Sequence, residues 1–301
     1  MKFYPRTGLH QKQTRKLVFI ELNRNAVRLK IKINMKLLVI GAGNMGLTYA
    51  KSIHNSGIFG DEKILILDKD TEKMAQLAAE GDFETHSELA NCVPQSDIIM
   101  IAVKPQHKDG LFEEMKPLIG EKLLIISVMA GVSIEAIQQA LGLEKVVRAM
   151  PNLPAQIGLG MTTYFSDKSV SEEEQILMGK LLGSTGKSLR LKEENEINTS
   201  TAIHGSGPAY IFYFIQSMLD AASHYGYDEE TAKSLVTQTF EGAVAQYKQG
   251  EFTPNEWMDK VASKGGTTRE ALNTFDKHKV NEGIKKGAIA CYERAIELSK
   301  L

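Results

Sequence analysis

Cysteine, proline and long hydrophobic runs are scarce in this chain of 301 residues, which has 2 cysteines and 8 prolines. Cys92 and Cys291 stand far apart without a Cys-x-x-Cys or Cys/His spacing, which excludes a disulfide framework and a structural zinc site. The seven histidines show no ligand spacing either, so we expect no metal. The longest apolar run, residues 123–132, is much shorter than the roughly 20 residues that cross a bilayer. We therefore expect no membrane span and a cytoplasmic protein.

Charge is distributed unevenly along the sequence. Residues 1–34 contain nine lysines and arginines and one acid, a net charge of +8, so the remainder carries −9 because the whole chain has −1. The segment lacks the cleavage pattern of a targeting peptide. Met35 directly precedes the first patterned segment, so we expect translation to begin there and the basic extension to lie outside the fold. The acidic remainder disfavours nucleic acid as a partner.

Residues 35–191 alternate short apolar runs with helical patterns, which predicts an α/β fold with a Rossmann-type doubly wound sheet. After residue 192 the strand signal stops, and helical patterns predict an all-α second domain, 192–301. The apolar runs cover residues 36–40, 63–67, 97–103, 123–129 and 145–149, and the late helical patterns cover 209–225, 228–249, 255–261 and 267 to the C-terminus.

A glycine-rich motif, Gly-Ala-Gly-Asn-Met-Gly, follows the first predicted strand and opens a helix. This strand–loop–helix context favours dinucleotide binding. Gly41 permits the tight turn, Gly43 lets the backbone approach a pyrophosphate, and Gly46 allows close packing. Asn44 and Met45 complete the helix start, whose N–H groups would bind the phosphates. The alternative is a glycine-rich turn without a ligand.

The second predicted strand ends at Asp68, 22 residues after Gly46. A Rossmann domain usually places there the group that reads the adenosine ribose. A carboxylate accepts from the 2′-hydroxyl and repels a 2′-phosphate, so Asp68 favours NADH over NADPH. Lys69 would pair with a phosphate if Asp68 points away, and a turn-initiating aspartate is the plain structural alternative.

A second loop, Ser263-Lys264-Gly265-Gly266-Thr267-Thr268, precedes another helical pattern. Thr267 and Glu270 have the spacing of a capping box, so the loop would deliver backbone N–H groups to a helix start. Such a site suits a small carboxylate. A helix cap with two flexible glycines is the alternative.

Two tempting motifs fail on spacing. Residues 183–188 end in Gly-Lys-Ser, but a P-loop needs glycine where Leu181 stands, so a nucleotide triphosphatase is rejected. Residues 205–207 are not a nucleophile elbow, and His204 beside them does not make a triad.

Five segments together resemble the Δ1-pyrroline-5-carboxylate reductase family in order and spacing, across residues 35–295. Each segment alone is weak evidence for the family, whereas all five in the same order and spacing are specific for it. They are residues 41–46, 102–106, 148–152, 205–210 and 265–268. Three positions depart from the family pattern: Lys264 replaces the usual proline, His204 a small or hydroxyl residue, and the acidic turn 68–70 differs from the version that prefers NADPH.

The resemblance implies site residues and an assembly. Gly41, Gly43, Asn44, Met45 and Gly46 would hold the cofactor pyrophosphate. The nicotinamide would lie beside a second set: Ala102, Val103, Lys104, Pro105 and Asn152. The substrate carboxylate would bind the loop residues Ser263, Gly265, Gly266, Thr267 and Thr268. In this family the helical domains make a homodimer, and some members assemble into decamers.

The implied reaction is reduction of 1-pyrroline-5-carboxylate to L-proline, the last step of proline biosynthesis, with NADPH or NADH. Thr268 would face the imine nitrogen as the catalytic group. Two alternatives stay open: another β-hydroxyacid-dehydrogenase-like oxidoreductase or cyclic imine reductase, and a non-enzymatic NAD(P)H sensor. The former class includes dehydrogenases that need a catalytic lysine, and candidates such as Lys233 lack a supporting motif. A sensor would have no competent substrate loop.

Overall fold

The structure, a computed structural model, describes residues 35–299 and two short strands before them, β1 (Val18–Phe19) and β2 (Ile31–Lys32), which pair antiparallel. The sequence predicts that the basic extension 1–34 lies outside the fold. Apart from these two strands, that prediction falls on residues that are not among the described ones. These form two compact units. The first holds the described residues up to Pro151 together with Ala155–Glu194, and the second holds Asn152–Pro154 and the described residues from Asn195 onward.

The first unit is built on one sheet of eight strands. The strands are β3 (Leu37–Ile40), β4 (Ile64–Leu67), β5 (Phe83–His86), β6 (Ile98–Ile101), β7 (Leu124–Ser127), β8 (Val146–Met150), β9 (Gly160–Ser166) and β10 (Gly186–Arg190). Its helices are α1 (Asn44–Ser56), α2 (Thr71–Glu80), α3 (Leu89–Cys92), α4 (Lys108–Met115), α5 (Ile134–Leu141) and α6 (Glu172–Gly183). Short 3₁₀ helices in this part of the chain cover Val93–Gln95, Pro105–His107, Lys116–Leu118 and Leu153–Ile157.

The strand order is β10-β9-β8-β7-β6-β3-β4-β5. The run from β5 to β8 is the 3-2-1-4-5-6 order of a Rossmann domain, with every neighbouring pair parallel. Strand β9 then pairs antiparallel with β8 and parallel with β10. The order reverses between β3 and β6, and a ligand crevice is expected where the carboxyl ends of these two strands meet. The predicted doubly wound sheet is confirmed.

The core lies on both faces of this sheet. Alternate residues of a strand point to opposite faces, so Leu37 and Val39 pack in one buried cluster, and Leu38 and Ile40 pack in the other. All four side chains of β3 are essentially inaccessible to solvent. Burial on both faces explains why these strands appear in the sequence as continuous apolar runs.

The second unit is helical, as predicted. It contains α7 (Glu196–Ser200), a π-helix (Thr201–Gly205), α8 (Gly207–His224), α9 (Glu229–Tyr247), α10 (Pro254–Val261), α11 (Thr267–Lys277) and α12 (Val280–Leu298). In the part of the chain that the structure describes, no helix has the length and apolar character needed to cross a membrane.

Two aspects of the predicted element pattern are wrong. The sheet has three strands beyond the five expected ones, namely β5, β9 and β10. The continuous helix expected from residue 267 onward is broken after His278, because Lys279 adopts a left-handed backbone (φ 54°) between α11 and α12. A left-handed residue cannot continue a right-handed helix.

Candidate active site

The glycine loop after β3 packs against the residues that follow β6. Gly41 has φ +98°, and a Cβ there would lie 2.9 Å from the backbone carbon and oxygen of Ala102. The Ala102 N–H in turn donates to the carbonyl of Ile40 at 2.8 Å. Only glycine fits such a position. The structure thus brings the predicted loop and Ala102 together at the point where the strand order reverses.

The other two glycines of the motif meet different surroundings. A Cβ on Gly46 would overlap the carbonyl oxygen of Gly41, so this position serves close packing within the protein. A Cβ on Gly43 would meet no atom within 4 Å. The space beside Gly43 is therefore open for a ligand that approaches the backbone, as the sequence predicts for a pyrophosphate.

The N-terminus of α1 adds hydrogen-bond donors to this open space. Gly43 is the N-cap and has no side chain to bond the first turn, and the first hydrogen bond of the helix runs from the Leu47 N–H to the Gly43 carbonyl. The N–H groups of Asn44, Met45 and Gly46 precede it and have no intrahelical acceptor. Together with the helix dipole they suit a phosphate. The residues present therefore fit a dinucleotide.

Asp68 holds the same loop from the end of β4. Its Oδ2 accepts the Ala42 N–H at 2.5 Å, and its Oδ1 accepts the Asp70 N–H at 3.0 Å. The side chain is half-buried. Each carboxylate oxygen has a second lone pair, so the same group has the capacity to accept from a ribose hydroxyl. The structure gives Asp68 a loop-holding contact that the sequence did not predict.

The turn after Asp68 carries both signs of charge. Asp70 is the N-cap of α2 and accepts the Lys73 N–H at 3.0 Å, which holds the pKa of this carboxyl below its usual value. The Lys73 ammonium lies 3.4 Å from Asp70 Oδ2. Lys69 is exposed. The ion pair with Asp70 offsets part of the positive charge of Lys73.

The remaining predicted nicotinamide-side residues of the first unit follow β6. Ala102, Val103 and Pro105 are half-buried, and Lys104 is exposed and precedes the 3₁₀ helix Pro105–His107. The Gly41 position lies near Val103 as well, since a Cβ there would be 3.1 Å from the Val103 backbone nitrogen. These residues thus border the glycine loop.

Asn152 belongs to the second unit and binds the helix start there. Pro208 has no amide hydrogen, so the His204 carbonyl four residues earlier loses the donor that a regular helix would supply. The Asn152 Nδ2–H donates to this carbonyl at 3.0 Å. The π-helix immediately before α8 closes with a bond from the Ser206 N–H to the Thr201 carbonyl at 2.8 Å. In the structure Asn152 therefore supports the opening of α8.

His204, one of the departures from the family pattern, also binds within this segment. Its Nδ1 lies 2.6 Å from the Ser200 carbonyl oxygen. Because a carbonyl oxygen only accepts, Nδ1 carries a proton. The ring is thereby fixed against the helix that bears it.

The predicted carboxylate loop is a tight turn between α10 and α11. The Gly266 N–H donates to the Ser263 carbonyl at 3.0 Å, and Gly265 has φ +73°, which is the pattern of a type II turn with glycine in its third position. A Cβ on Gly266 would lie 2.5 Å from Ser263 Oγ. Gly265 is thus favoured by its left-handed backbone, whereas a side chain at Gly266 would displace the hydroxyl of Ser263.

The predicted capping box is wrong. Helix α11 begins at Thr267, so Gly266 is the N-cap and no side chain caps the first turn. The left-handed Gly265 returns the chain to an extended conformation at Gly266 (φ −82°, ψ 166°), one residue earlier than the Thr267–Glu270 pair implied. The N–H groups of Thr267 and Thr268 are consequently left without a cap, which suits an anion better than a capped helix does. Thr268 is half-buried at this helix start.

Sequence reasoning missed Arg269, the next residue of this helix. Its Nη2 donates to Asp259 Oδ1 at 2.8 Å and to the Ala262 carbonyl at 3.3 Å. The signal available in the sequence was a cation in the first turn of a helix, where the dipole disfavours positive charge.

Comparisons with known proteins give matches for both parts of the chain. Residues 194–298 match the family model described as pyrroline-5-carboxylate reductase dimerisation, and residues 36–131 match the one described as NADP oxidoreductase, coenzyme F420-dependent. Over 271 residues the chain is 34% identical to the pyrroline-5-carboxylate reductase of Aquifex aeolicus. The alignment covers 90% of this chain and 98% of that relative.

Solved structures give the same result. The pyrroline-5-carboxylate reductase of Coxiella burnetii superposes with a TM-score of 0.81 at 29% identity, covering 89% of this chain and 99% of that one. The Plasmodium falciparum pyrroline carboxylate reductase, solved with NADP bound, gives 0.80 at 28% identity, covering 88% and 98%. The resemblance predicted from five motifs is confirmed: the chain belongs to the pyrroline-5-carboxylate reductase family.

Proposed function

We propose that this protein reduces 1-pyrroline-5-carboxylate to L-proline with NADPH or NADH. The observation that carries this proposal is the uncapped start of α11 after the turn at Ser263–Gly266, in a chain of this family. That arrangement suits the carboxylate of a small imino acid. The proposal assigns cofactor binding to residues 35–191, and substrate binding and dimerisation to residues 192–301.

The first unit binds the cofactor. The open side of Gly43 and the N–H groups of Asn44, Met45 and Gly46 receive the pyrophosphate. Asp68 keeps the loop in place through Ala42. When bound, the reduced nicotinamide supplies the hydride for the imine carbon. Ala102, Val103, Lys104 and Pro105 are assigned to its surroundings, and Asn152 is assigned there from the resemblance.

The second unit binds the substrate. Backbone N–H groups of Thr267 and Thr268, with Ser263 and the two glycines, hold the carboxylate, and charge-assisted hydrogen bonds of this kind contribute about 1.5–3 kcal/mol each. Thr268 is the catalytic residue, because its hydroxyl donates to the imine nitrogen or to an ordered water. Positioning dominates catalysis here, since aligning two reactants supplies on the order of 7–11 kcal/mol.

For the cofactor we propose a preference for NADH. The Asp68 carboxylate at the end of β4 accepts from a ribose 2′-hydroxyl and repels a 2′-phosphate. Asp70 adds a second negative charge and pairs with Lys73. Lys69 alone remains as the exposed cation of this turn to attract a phosphate. The relative with NADP bound and the NADP-linked family description support a nicotinamide cofactor in general.

The proposal includes a homodimer formed through the second unit. Within the described part of the chain, α8 has no buried residue and exposes large apolar side chains, among them Phe212 (57%) and Tyr213 (75%). Apolar surface on this scale marks an interaction site. The dimerisation family model covers this helix. The proposal covers this homodimer or a decamer built from such dimers, without nucleic acid or membrane partners and in the cytoplasm.

Initial rates of NADH and NADPH oxidation with pyrroline-5-carboxylate test the function, with proline measured by chromatography. We expect turnover with both cofactors and a higher kcat/KM for NADH. Binding of both cofactors without oxidation would contradict the reaction and favour a sensor. Oxidation with a different cyclic imine alone would instead replace the substrate and keep the chemistry.

A further inference from the structure

Arg269 joins the two helices that flank the carboxylate loop. Its Nη2 donates to Asp259 Oδ1 on α10 at 2.8 Å and to the carbonyl of Ala262, the C-cap of α10, at 3.3 Å. Arg269 itself lies in the first turn of α11. A single guanidinium thus links the end of one helix to the beginning of the next, across the turn at Ser263–Gly266.

The position of the Arg269 guanidinium destabilises α11 and stabilises α10. A cation in the first turn of a helix opposes the helix dipole, whereas a cation at a C-terminus complements it. The last carbonyls of a helix also lack intrahelical donors, and Arg269 supplies one to Ala262. The guanidinium therefore acts on the C-terminus of α10, although it belongs to α11.

The turn has little else to fix it. Within the turn one backbone bond runs from the Gly266 N–H to the Ser263 carbonyl at 3.0 Å, and the Gly266 carbonyl accepts the Glu270 N–H of α11 at 3.3 Å. Two of the four turn residues are glycines, which have the greatest backbone freedom. Ser263, Lys264 and Gly265 are exposed. A link between the two ends of the turn limits how far the first N–H groups of α11 move from their orientation.

We propose that Arg269 is a positioning residue for substrate binding, acting through Asp259 and Ala262 on the loop that receives the carboxylate. This inference rests on the proposed function. Without the link the loop must be ordered when the substrate binds, so the substrate KM rises. The cofactor KM stays unchanged, because the cofactor loop belongs to the other unit.

Steady-state kinetics of the full chain provide the first test. For Arg269→Gln and Asp259→Ala we expect each substrate KM to rise about tenfold, and the double variant to be no worse than Arg269→Gln alone, because both remove the same side-chain link. The matched control is Arg294→Gln, which removes another exposed arginine, paired with Glu297 at 2.6 Å in the same unit. It should leave both KM values unchanged.

Two further comparisons distinguish the effect of the positive charge of Arg269 from the effect of its hydrogen bonds to α10. Arg269→Lys keeps the positive charge but loses the planar guanidinium group. Its substrate KM should therefore be raised nearly as much as that of Arg269→Gln. A normal KM for Asp259→Ala beside a raised one for Arg269→Gln would mean that the arginine attracts the substrate by its charge alone, and would overturn the proposal. An unchanged KM for Arg269→Gln would also overturn it.

Hydrogen–deuterium exchange of residues 263–270 tests the link without the reaction. In the substrate-free protein we expect faster exchange of this segment in Arg269→Gln and Asp259→Ala, and wild-type exchange in Arg294→Gln. Equal exchange in all four proteins would overturn the positioning role. A wild-type protein that fails to reduce pyrroline-5-carboxylate while these exchange differences hold would reject the proposed function but not the link. The one tryptophan of the sequence, Trp257 on α10, reports folding of every variant by its fluorescence.

Discussion

The backbone N–H of Ala42 donates a 2.5 Å hydrogen bond to the carboxylate of Asp68, joining the glycine loop after β3 to the end of β4. The two residues are 26 positions apart in the sequence. The carboxylate that the sequence assigns to the ribose therefore also fixes the loop that is assigned to the pyrophosphate. A substitution at Asp68 should disturb both functions, and two different substitutions separate them.

Asp68→Asn keeps an acceptor for Ala42 and removes the charge. The ratio of kcat/KM for NADPH to that for NADH should rise about tenfold, because a 2′-phosphate is no longer repelled. Asp68→Ala also loses the loop contact, so kcat/KM should fall with both cofactors. An unchanged ratio in Asp68→Asn would mean that this residue holds the loop only.

Two alanine substitutions in the glycine loop should differ in kind. Gly43→Ala adds a methyl group to open space, so the protein keeps its melting temperature while the KM for the cofactor rises. Gly46→Ala places the methyl group on the Gly41 carbonyl, and overpacking of this kind costs typically 1–3 kcal/mol of stability. Melting curves and cofactor titrations check both. An unchanged melting temperature for Gly46→Ala would contradict the packing role of Gly46.

Thr268→Ala should lower kcat about 10- to 100-fold, since the hydroxyl contributes one hydrogen bond to a charged or polar group, worth about 1.5–3 kcal/mol. Thr268→Ser keeps a hydroxyl and should recover most of the rate. Rates at saturating cofactor and substrate measure the effect. Complete loss of turnover in a folded, cofactor-binding Thr268→Ala protein would instead make the hydroxyl an obligatory acid.

Lys264 occupies the second position of the type II turn, where proline is favoured. Lys264→Pro should therefore stabilise the protein by about 0.4–1 kcal/mol, provided that the free chain loses more conformations than the turn does. Lys264→Ala removes the same charge without this constraint and serves as the control. A lower melting temperature for the proline variant than for the alanine variant would contradict the turn assignment.

Acid should destabilise the protein through its helix caps. Asp70 and Asp228 accept backbone N–H groups at the starts of α2 and α9, and the pKa of each carboxyl lies below its usual value of 3.8 for that reason. A lowered pKa means that the stabilisation is present above pH 3.8 and is lost as the pH falls through the folded-state pKa. Melting temperatures between pH 3 and 7 measure it. Asp70→Asn keeps a helix cap that does not titrate, so its melting temperature should fall less at low pH than that of the wild-type protein. The same pH dependence in both proteins would refute the role of Asp70 as a titrating cap.

The sequence predicted the parts of the fold that depend on local pattern. The five buried strands appear as apolar runs because both faces of the sheet are covered. Strand β10 lies at the sheet edge and is largely exposed, and β5, at the other edge, has only Phe83 fully buried, so neither leaves a continuous apolar run. The break at Lys279 has no glycine or proline to mark it.

Within the candidate site, the glycine motif and the Gly265–Thr268 segment were identified from spacing. The long-range contacts were not, because they join residues distant in sequence: Asp68 with Ala42 in the glycine loop, and Asn152 with the His204 carbonyl at the opening of α8. The capping error has a local cause. Thr267 and Gly266 are both acceptable N-caps by residue type, and the left-handed Gly265 decides between them.

Transfer of isotope from cofactor to product tests the proposed reaction most directly. NADH carrying deuterium at both positions of C4 is incubated with the protein and pyrroline-5-carboxylate, and the proline formed is analysed by mass spectrometry and NMR. Hydride transfer to the imine carbon predicts one deuterium per proline, located at C5 and on one face. Proline without deuterium, or no proline while the cofactor binds, would contradict the assignment of this chain as a pyrroline-5-carboxylate reductase.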